Sequence, residues 1–344
     1  MSAPTSPLPD AVAPYVAGCA WPPTPGVPYP RHDPADAARL PGDTWTAARL
    51  PVGVRLELVG DAEKLEVEYE TATDDLGYRG DGAGRRFEVY AGDRRLDSQA
   101  AVLGRGRVRL SLGPVDDRSA RRVVYLPEGM RPEVLGLEAL GGSLAPAPAQ
   151  PRWVAYGDSI LEGWVASAPA LAWGAVTARR AGLDLVNLGY AGSARGELVS
   201  AEAIAELPAP AVVSVSHGTN CWSMVAHRPD LLAVATDSFL EVLRQGHPAV
   251  PLVAVSPIVR PDAEHTTNRR GATLSDLRRA MEEVYDDWAA RDPAFVWCPG
   301  RDLVAPELLP DGIHPGDDGH AVLAGHLGPL IAEAARAGSG PAPA

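Results

Sequence analysis

Residues 153–159 read Trp-Val-Ala-Tyr-Gly-Asp-Ser, an apolar run that ends in a polar turn containing glycine. The run lacks polar–apolar alternation, which is typical of strands buried on both faces of a parallel sheet. Four later runs share this pattern: Leu185–Leu188, Ala211–Ser216, Leu252–Val255 and Phe295–Cys298. Together with Trp153–Tyr156, they predict a buried parallel β-sheet.

Amphipathic helical patterns separate these runs. The clearest lies at about residues 273–289, where six apolar side chains share one helical face: Leu274, Leu277, Met281, Val284, Tyr285 and Trp288. A last helix is predicted at about residues 317–335, after His314-Pro315. Strands that alternate with helices predict a doubly wound α/β domain, with an active site at the carboxyl ends of the strands.

Residues from about 45 to 140 have a different period. Leu65, Val67 and Tyr69 alternate with glutamates, and the apolar residues of 107–112 alternate with arginine and serine. This alternation is typical of antiparallel strands with one solvent-facing side. We therefore predict an all-β sandwich or jelly-roll domain ahead of the α/β domain.

Residues 141–151 contain two glycines and three spaced prolines, a composition that favours a semi-extended linker. We predict an N-terminal β-sandwich domain at 1–142 and a linker at 143–151. The α/β domain follows at 152–338, and residues 339–344 are expected to be a flexible tail.

The charge balance indicates which kinds of binding partner are disfavoured. The chain has 344 residues, with 31 basic against 44 acidic side chains and a formal net charge of -13. This balance argues against binding to nucleic acid or to an anionic membrane, since both require a basic face. The sequence shows no signal-peptide pattern and no apolar run of about 20 residues, so a cytoplasmic location is expected.

Four polar segments lie just past predicted strands, and each has an ordinary structural explanation. Ser159 could be an exposed nucleophile, or the Gly-Asp-Ser turn could only cap a helix. The glycines of 187–193 permit close backbone approach to a ligand, but they also suit a common βα turn. Asn220 could aim its amide N–H at an oxyanion, or it could belong to a simple loop.

The fourth segment contains Asp311 and His314, three residues apart on a short turn. The carboxylate could hold one imidazole nitrogen and leave the other as a general base. A metal site that recruits Asp317, Asp318 or His320 is a weaker interpretation, because the segment contains no helical His-x-x-x-His pair.

Taken together, residues from about 151 to 336 resemble the SGNH (GDSL-type) hydrolase family. Its four blocks match Gly157-Asp158-Ser159, the Asn-x-Gly-x-x-Gly that ends at Gly192, Gly218-x-Asn220 and Asp311-x-x-His314. The resemblance implies that Ser159 is the nucleophile, His314 its general base and Asp311 the carboxylate that orients His314. It also implies an oxyanion hole formed by the backbone N–H groups of Ser159 and Gly192 and the side-chain amide of Asn220. No cofactor or metal is required by this scheme.

Two positions depart from the family pattern. Ile160 replaces the usual leucine after Gly-Asp-Ser, and Cys221 replaces the aspartate that often follows Gly-x-Asn. Cys221 is more readily explained as a small buried side chain than as a reactive thiol. Four further residues are candidates for the substrate rim, although packing is an alternative role for them: Trp164, His217, Trp222 and Arg260.

The resemblance implies a serine esterase that acts on a small-molecule or carbohydrate ester. A β-sandwich ahead of such a domain is similar to two known arrangements, the carbohydrate esterases with a jelly roll and the acyltransferases of polyketide tailoring. An acyltransferase that passes the acyl group to a hydroxyl of a natural product is therefore an alternative. A non-catalytic carbohydrate-binding protein is a second alternative.

Overall fold

The structure is a computed structural model that describes residues 8–74, 84–114 and 118–338. The predicted tail at 339–344 lies outside the described residues. Within the described ranges, no helix combines the length and the apolar character needed to cross a membrane.

The N-terminal region is built from antiparallel strands. Its elements are β1 (Val16–Ala17), α1 (Gly42–Ala48), β2 (Arg55–Gly60), β3 (Lys64–Thr71), β4 (Arg86–Ala91), β5 (Arg94–Ala100), β6 (Gly104–Ser111), β7 (Arg122–Tyr125), β8 (Pro132–Leu140) and β9 (Leu144–Pro146). One sheet has the order β1-β2-β7-β4-β5 with β9 also paired to β2, and the other has the order β6-β3-β8. Apolar residues from both sheets share one buried cluster, which confirms the predicted sandwich.

Strand β3 shows why the period-two pattern forms a sandwich. Leu65 and Val67 are fully buried in the shared cluster, while Glu66 lies on the other side of the strand. The Glu66 carboxylate accepts a hydrogen bond of 2.6 Å from Arg109 on the neighbouring β6. The apolar side chains therefore face the core, and the charged side chains form cross-strand pairs on the outer face.

The predicted linker is wrong over residues 144–146, because they form β9. Leu58 of β2 lies opposite Pro146, and Gly60 lies opposite Leu144. A proline has no N–H to donate, but it is tolerated on an edge strand, where one side of the strand needs no partner. The proline spacing that favoured a linker is therefore compatible with a short edge strand.

The C-terminal region is the predicted α/β domain. Its strands are β10 (Arg152–Gly157), β11 (Asp184–Gly189), β12 (Val212–Ser216), β13 (Leu252–Val255) and β14 (Phe295–Cys298). Its helices are α2 (Ser159–Glu162), α3 (Trp173–Ala181), α4 (Leu198–Ala205), α5 (Thr219–Ser223), α6 (Pro229–Gly246), α7 (Leu274–Arg291) and α8 (Asp317–Gly338). The strand order is β11-β10-β12-β13-β14, and every pairing is parallel.

This strand order positions the site. The chain leaves β10 toward β11 on one side and then crosses back to β12 on the other, so the order reverses at β10. A crevice forms at the carboxyl end of such a strand. Ser159 comes two residues after the last residue of β10 and therefore lies at this crevice.

Part of the chain ahead of β2 packs on the α/β domain and not on the sandwich. Trp21, Ala47 and Ala48 belong to the buried cluster that fills one face of the parallel sheet, together with residues of α4, α6 and α7. The chain therefore first contributes Val12 and β1 to the sandwich, then packs on the α/β domain, and continues as β2 of the sandwich. Residues 1–142 are therefore not all part of the predicted sandwich, because Trp21, Ala47 and Ala48 pack on the other domain.

Candidate active site

The turn after β10 presents Ser159 at the first position of α2. Asp158 precedes it in an extended conformation, and its side chain accepts a hydrogen bond of 3.0 Å from the Ile160 N–H. Asp158 thus caps the helix, as the ordinary structural explanation of the turn requires. Burial raises the pKa of this carboxyl to about 6.

The predicted acid–base residues form a hydrogen-bonded chain. Ser159 Oγ lies 2.8 Å from His314 Nε2, and His314 Nδ1 lies 2.6 Å from Asp311 Oδ2. The other oxygen of Asp311 accepts the backbone N–H groups of Ile313 at 2.9 Å and of His314 at 2.7 Å. One carboxylate therefore shapes the turn and holds the imidazole at the same time.

The electrostatics of Asp311 favour one arrangement of protons. Partial burial acts to raise the pKa of Asp311, but hydrogen bonds from the His314 ring and from two backbone N–H groups outweigh it. The net effect is a pKa below the ordinary value, so the group is a carboxylate at neutral pH. A carboxylate at Nδ1 stabilises the tautomer with a proton there, which leaves Nε2 free to accept the Ser159 proton.

The loop after β11 lies close to the nucleophile helix. The Asn187 side chain donates to the Leu161 carbonyl at 3.0 Å and accepts the Gly189 N–H at 2.8 Å. A Cβ on Gly189 would lie 2.5 Å from the backbone nitrogen of Glu162, which is closer than real contacts allow. Glycine at this position therefore lets the loop approach α2.

The two remaining oxyanion candidates belong to connected segments. Gly192 has φ of 71°, a left-handed conformation that favours glycine. Asn220 on α5 is buried, and its side-chain amide donates to the Ala194 carbonyl at 3.2 Å. The structure thus joins the loop of Gly192 to the helix of Asn220.

Glu162 was not identified from the sequence. It is buried on α2, three residues after Ser159, and its carboxylate accepts the Ala191 N–H at 2.8 Å. This bond ties the nucleophile helix to the residue before Gly192. A glutamate on a short helix gives no local signal of such a contact, because its partner lies 29 residues away.

The rim candidates separate into two groups. Trp164 is half-buried, and its ring stacks on the His314 ring at a centroid distance of 5.5 Å. Arg260 lies over the half-buried Trp222 ring at 4.8 Å. The rim interpretation of His217 is wrong, because the residue is 1% exposed and its ring packs against the Tyr156 and Phe239 rings in the core.

Met224 is a further candidate for the substrate rim that was not identified from the sequence. It follows α5, is 62% exposed, and places its Cε 3.9 Å from the point where a Cβ on Gly192 would lie. An exposed methionine beside a candidate oxyanion hole can contact an apolar part of a ligand. The only sequence signal was its position four residues after Asn220.

Burial and hydrogen bonding decide the roles of Cys221 and of the weaker metal candidates. Cys221 is fully buried and its thiol pKa is raised by burial, which confirms the interpretation as a small buried side chain. Asp317 accepts the backbone N–H and the hydroxyl of Ser167 at 2.7 and 2.6 Å. His320 is buried, and burial lowers its pKa to about 4. Over the described ranges, no group of three His, Cys, Asp or Glu side chains is arranged to hold a metal ion.

Residues 155–322 match the model of the GDSL-like lipase/acylhydrolase family. The chain carries a GDSL-family domain. The resemblance inferred from the four sequence blocks is therefore confirmed. None of the curated proteins matches the sequence.

Several solved structures are similar to this chain over most of its length. The salicylyl-acyltransferase SsfX3 from a tetracycline biosynthetic pathway is 23% identical, with a TM-score of 0.74 over 86% of this chain and 87% of that one. A protein from Bacteroides ovatus assigned as a GDSL-like lipase is 19% identical, with a TM-score of 0.74 over 93% and 95% of the two chains. A family two carbohydrate esterase from Clostridium thermocellum is 15% identical, with a TM-score of 0.59 over 81% and 90%. Because the sequence identities are low, these structural similarities establish the fold alone.

Proposed function

We propose that the protein is a serine esterase that cleaves carboxylic esters through an acyl-enzyme intermediate. The observation that carries the proposal is the chain of hydrogen bonds from Ser159 Oγ through His314 to Asp311, at 2.8 and 2.6 Å. Nucleophile, base and orienting carboxylate are thus within the reach that such catalysis needs. An intact chain of this kind favours catalysis over a purely carbohydrate-binding role.

In this mechanism, His314 Nε2 takes the Ser159 proton while Oγ attacks the ester carbonyl carbon. The tetrahedral oxyanion is stabilised by the N–H groups of Ser159 and Gly192 and by the Asn220 amide, at roughly 3 kcal/mol for each well-placed donor. The alcohol leaves with the proton from His314, and the acyl group stays on Ser159. A water molecule then attacks, with His314 again as the base, and releases the carboxylic acid.

An acyltransferase is the second candidate. The likeness to SsfX3 extends over both the sandwich and the α/β domain, and that protein is named for transfer of a salicylyl group. Transfer and hydrolysis use the same residues and differ in whether an alcohol or water attacks the acyl-enzyme. Product analysis with and without added acceptor alcohols distinguishes them, since transfer produces a new ester at the expense of free acid.

We further propose that residues 152–338 form the catalytic domain and that strands β1–β9 form the accompanying sandwich. The site residues named above all lie within the first of these ranges. The sandwich packs against the catalytic domain through contacts with β11 and α3 and supplies no reacting group.

Labelling with a fluorophosphonate tests the proposal directly. Wild-type protein is expected to react at Ser159 and to hydrolyse short activated esters, and Ser159→Ala is expected to lose both properties. Ser275→Ala is the matched control, because Ser275 is an exposed serine on α7. Labelling at another residue, or esterase activity that persists in Ser159→Ala, would overturn the proposal.

A further inference from the structure

Arg31 belongs to the early segment of the chain, yet its guanidinium lies under the loop of the proposed oxyanion hole. The residue is 1% exposed. Nη1 donates to the Asn187 carbonyl at 3.0 Å and also to the Gly189 carbonyl. These two carbonyls belong to the end of β11, where the chain turns toward Gly192.

The same guanidinium is anchored to its own segment. Nε donates to the Leu50 carbonyl at 2.7 Å, and Nη2 donates to the Ala47 carbonyl at 2.6 Å. Four carbonyls from two distant parts of the chain therefore converge on one planar group. The planar, forked guanidinium of arginine is suited to acceptors that lie in separate directions.

Two further contacts connect Arg31 to the loop and to the nucleophile helix. Its guanidinium carbon lies 5.2 Å from the centre of the Tyr190 ring, and the Tyr190 hydroxyl donates back to the Arg31 carbonyl. Nη2 lies 3.8 Å from the buried Glu162 carboxylate, which accepts the Ala191 N–H. Arg31 thus supplies a positive charge close to the Glu162 carboxylate, and this carboxylate joins α2 to the loop.

We infer that Arg31 is a positioning residue for the oxyanion hole, holding the 187–192 loop against α2 so that the Gly192 N–H is fixed relative to Ser159 Oγ. The inference rests on the proposed function. Oxyanion donors act by being fixed before charge develops, so a loop that shifts by a fraction of an ångström stabilises the transition state less well. Binding of the ground-state ester does not depend on this placement to the same extent.

The test is Arg31→Lys, which keeps the positive charge near Glu162 and removes the fork. We expect kcat per fluorophosphonate-titrated site to fall by about 10- to 100-fold, with KM changed by less than about threefold. The affinity of a boronic acid, which forms a tetrahedral adduct on serine, is expected to fall in parallel. The affinity of the carboxylic acid product is expected to stay near the wild-type value.

Arg55→Lys is the matched control. Arg55 is also buried and also bridges the N-terminal region to β11, but at the opposite end of the strand, where it donates to the Leu185 carbonyl and to Asp184, both at 3.0 Å. We expect Arg55→Lys to lower thermal stability without changing kcat per titrated site or boronic acid affinity.

The outcomes separate the inference from the proposed function. A wild-type protein that neither labels nor cleaves esters refutes the proposed function. Wild-type kcat and boronic acid affinity in Arg31→Lys, or a loss of kcat without a loss of boronic acid affinity, refute only the inference. If Arg31→Lys does not fold, Tyr190→Phe removes one bond of the same network. A two- to fivefold loss of both kcat per titrated site and boronic acid affinity is then expected. Unchanged values of the two quantities would count against the inference.

Discussion

Asp311 carries two functions in one carboxylate. Oδ2 accepts the His314 ring, and Oδ1 accepts the N–H groups of Ile313 and His314. In Asp311→Asn the amide oxygen can still hold the turn, whereas the charge that stabilises the imidazolium is lost. The spacing of the two residues made this pair possible, and the family resemblance implied it.

We therefore predict different losses at the two residues. Asp311→Asn should lower kcat by roughly 10- to 1000-fold, or about 1.4–4 kcal/mol, which is less than the roughly 10⁴-fold loss that the same change causes in a serine protease triad. The kcat of His314→Ala should fall to background, because His314 Nε2 is the general base. Measuring kcat/KM for both variants with one ester at one pH checks this. A wild-type value for Asp311→Asn would mean that the turn alone orients the ring.

His217 shows how a residue beside a motif can be misassigned. It directly precedes the Gly-x-Asn block, and the sequence left open a place at the rim or a packing role. The ring instead turns into the core against Tyr156 and Phe239, and burial lowers its pKa to about 4. The direction of a side chain at the end of a strand depends on the facing helix, here α6, and this information is not local.

The buried imidazole of His217 predicts a loss of stability in acid. Its folded-state pKa of about 4 lies below the ordinary value of 6.5, so the unfolded chain binds a proton first as pH falls between these values. The contribution of neutral His217 to the free energy of unfolding is fully present above about pH 6.5 and is lost as the pH falls toward 4. Between pH 7 and 4.5, wild type should lose about 2 kcal/mol more unfolding free energy than His217→Gln.

Urea unfolding of both proteins at the two pH values measures this difference. Comparing each protein with itself removes any constant effect of the substitution. His320 and Asp158 also have shifted pKa values, but they are present in both proteins and cancel. Equal pH dependence in the two proteins would show that His217 does not titrate in the folded state as inferred.

At the scale of elements, the parallel sheet was predictable. Strands β13 and β14 have the predicted bounds, and β10 and β11 extend the predicted runs by one residue at each end. Continuous apolar runs identify such strands because both faces must be buried. Strand β9 was missed, because its pairing depends on β2, which lies more than 80 residues earlier in the chain.

The turn after α5 leads to a prediction about chain length. Met224 is exposed beside Gly192, where an apolar acyl chain would contact it. Met224→Ser should lower kcat/KM for a hexanoate ester by about five- to tenfold, because about 0.8 kcal/mol is gained for each methylene buried. Activity on the acetate ester should change by less than about twofold.

Val234→Ser is the control for this substitution, since Val234 is a similarly exposed apolar side chain, on α6. It should leave the ratio of hexanoate to acetate activity unchanged. An unchanged ratio in Met224→Ser would place the acyl chain elsewhere on the rim, toward Trp164 or Trp222.

At the scale of the whole molecule, the two domains share cores. Trp21 and Ala48 complete the cluster on one face of the parallel sheet, and Tyr90 and Tyr125 of the sandwich pack with alanines of the segment that leads into α3. The Arg179 side chain donates to the Tyr125 hydroxyl at 2.7 Å. None of these contacts is local in sequence, so the sequence could predict two domains but not how they join.

The shared cores lead to the prediction that residues 151–344 do not form a working enzyme alone. Removing the preceding residues uncovers two apolar surfaces and leaves the Glu162 carboxylate without Arg31. Exposing one large apolar side chain to water costs about 1.5–3 kcal/mol, against a typical total stability of about 5–15 kcal/mol.

The fragment should bind a hydrophobic dye, unfold without a sharp transition, and show few serines that can be titrated with fluorophosphonate. The full-length protein, measured alongside, should show a cooperative transition and one titratable serine per chain. Cooperative unfolding of the fragment with full kcat per titrated serine would mean that the N-terminal region is a separable module, and it would also count against a role for Arg31 in positioning the oxyanion hole.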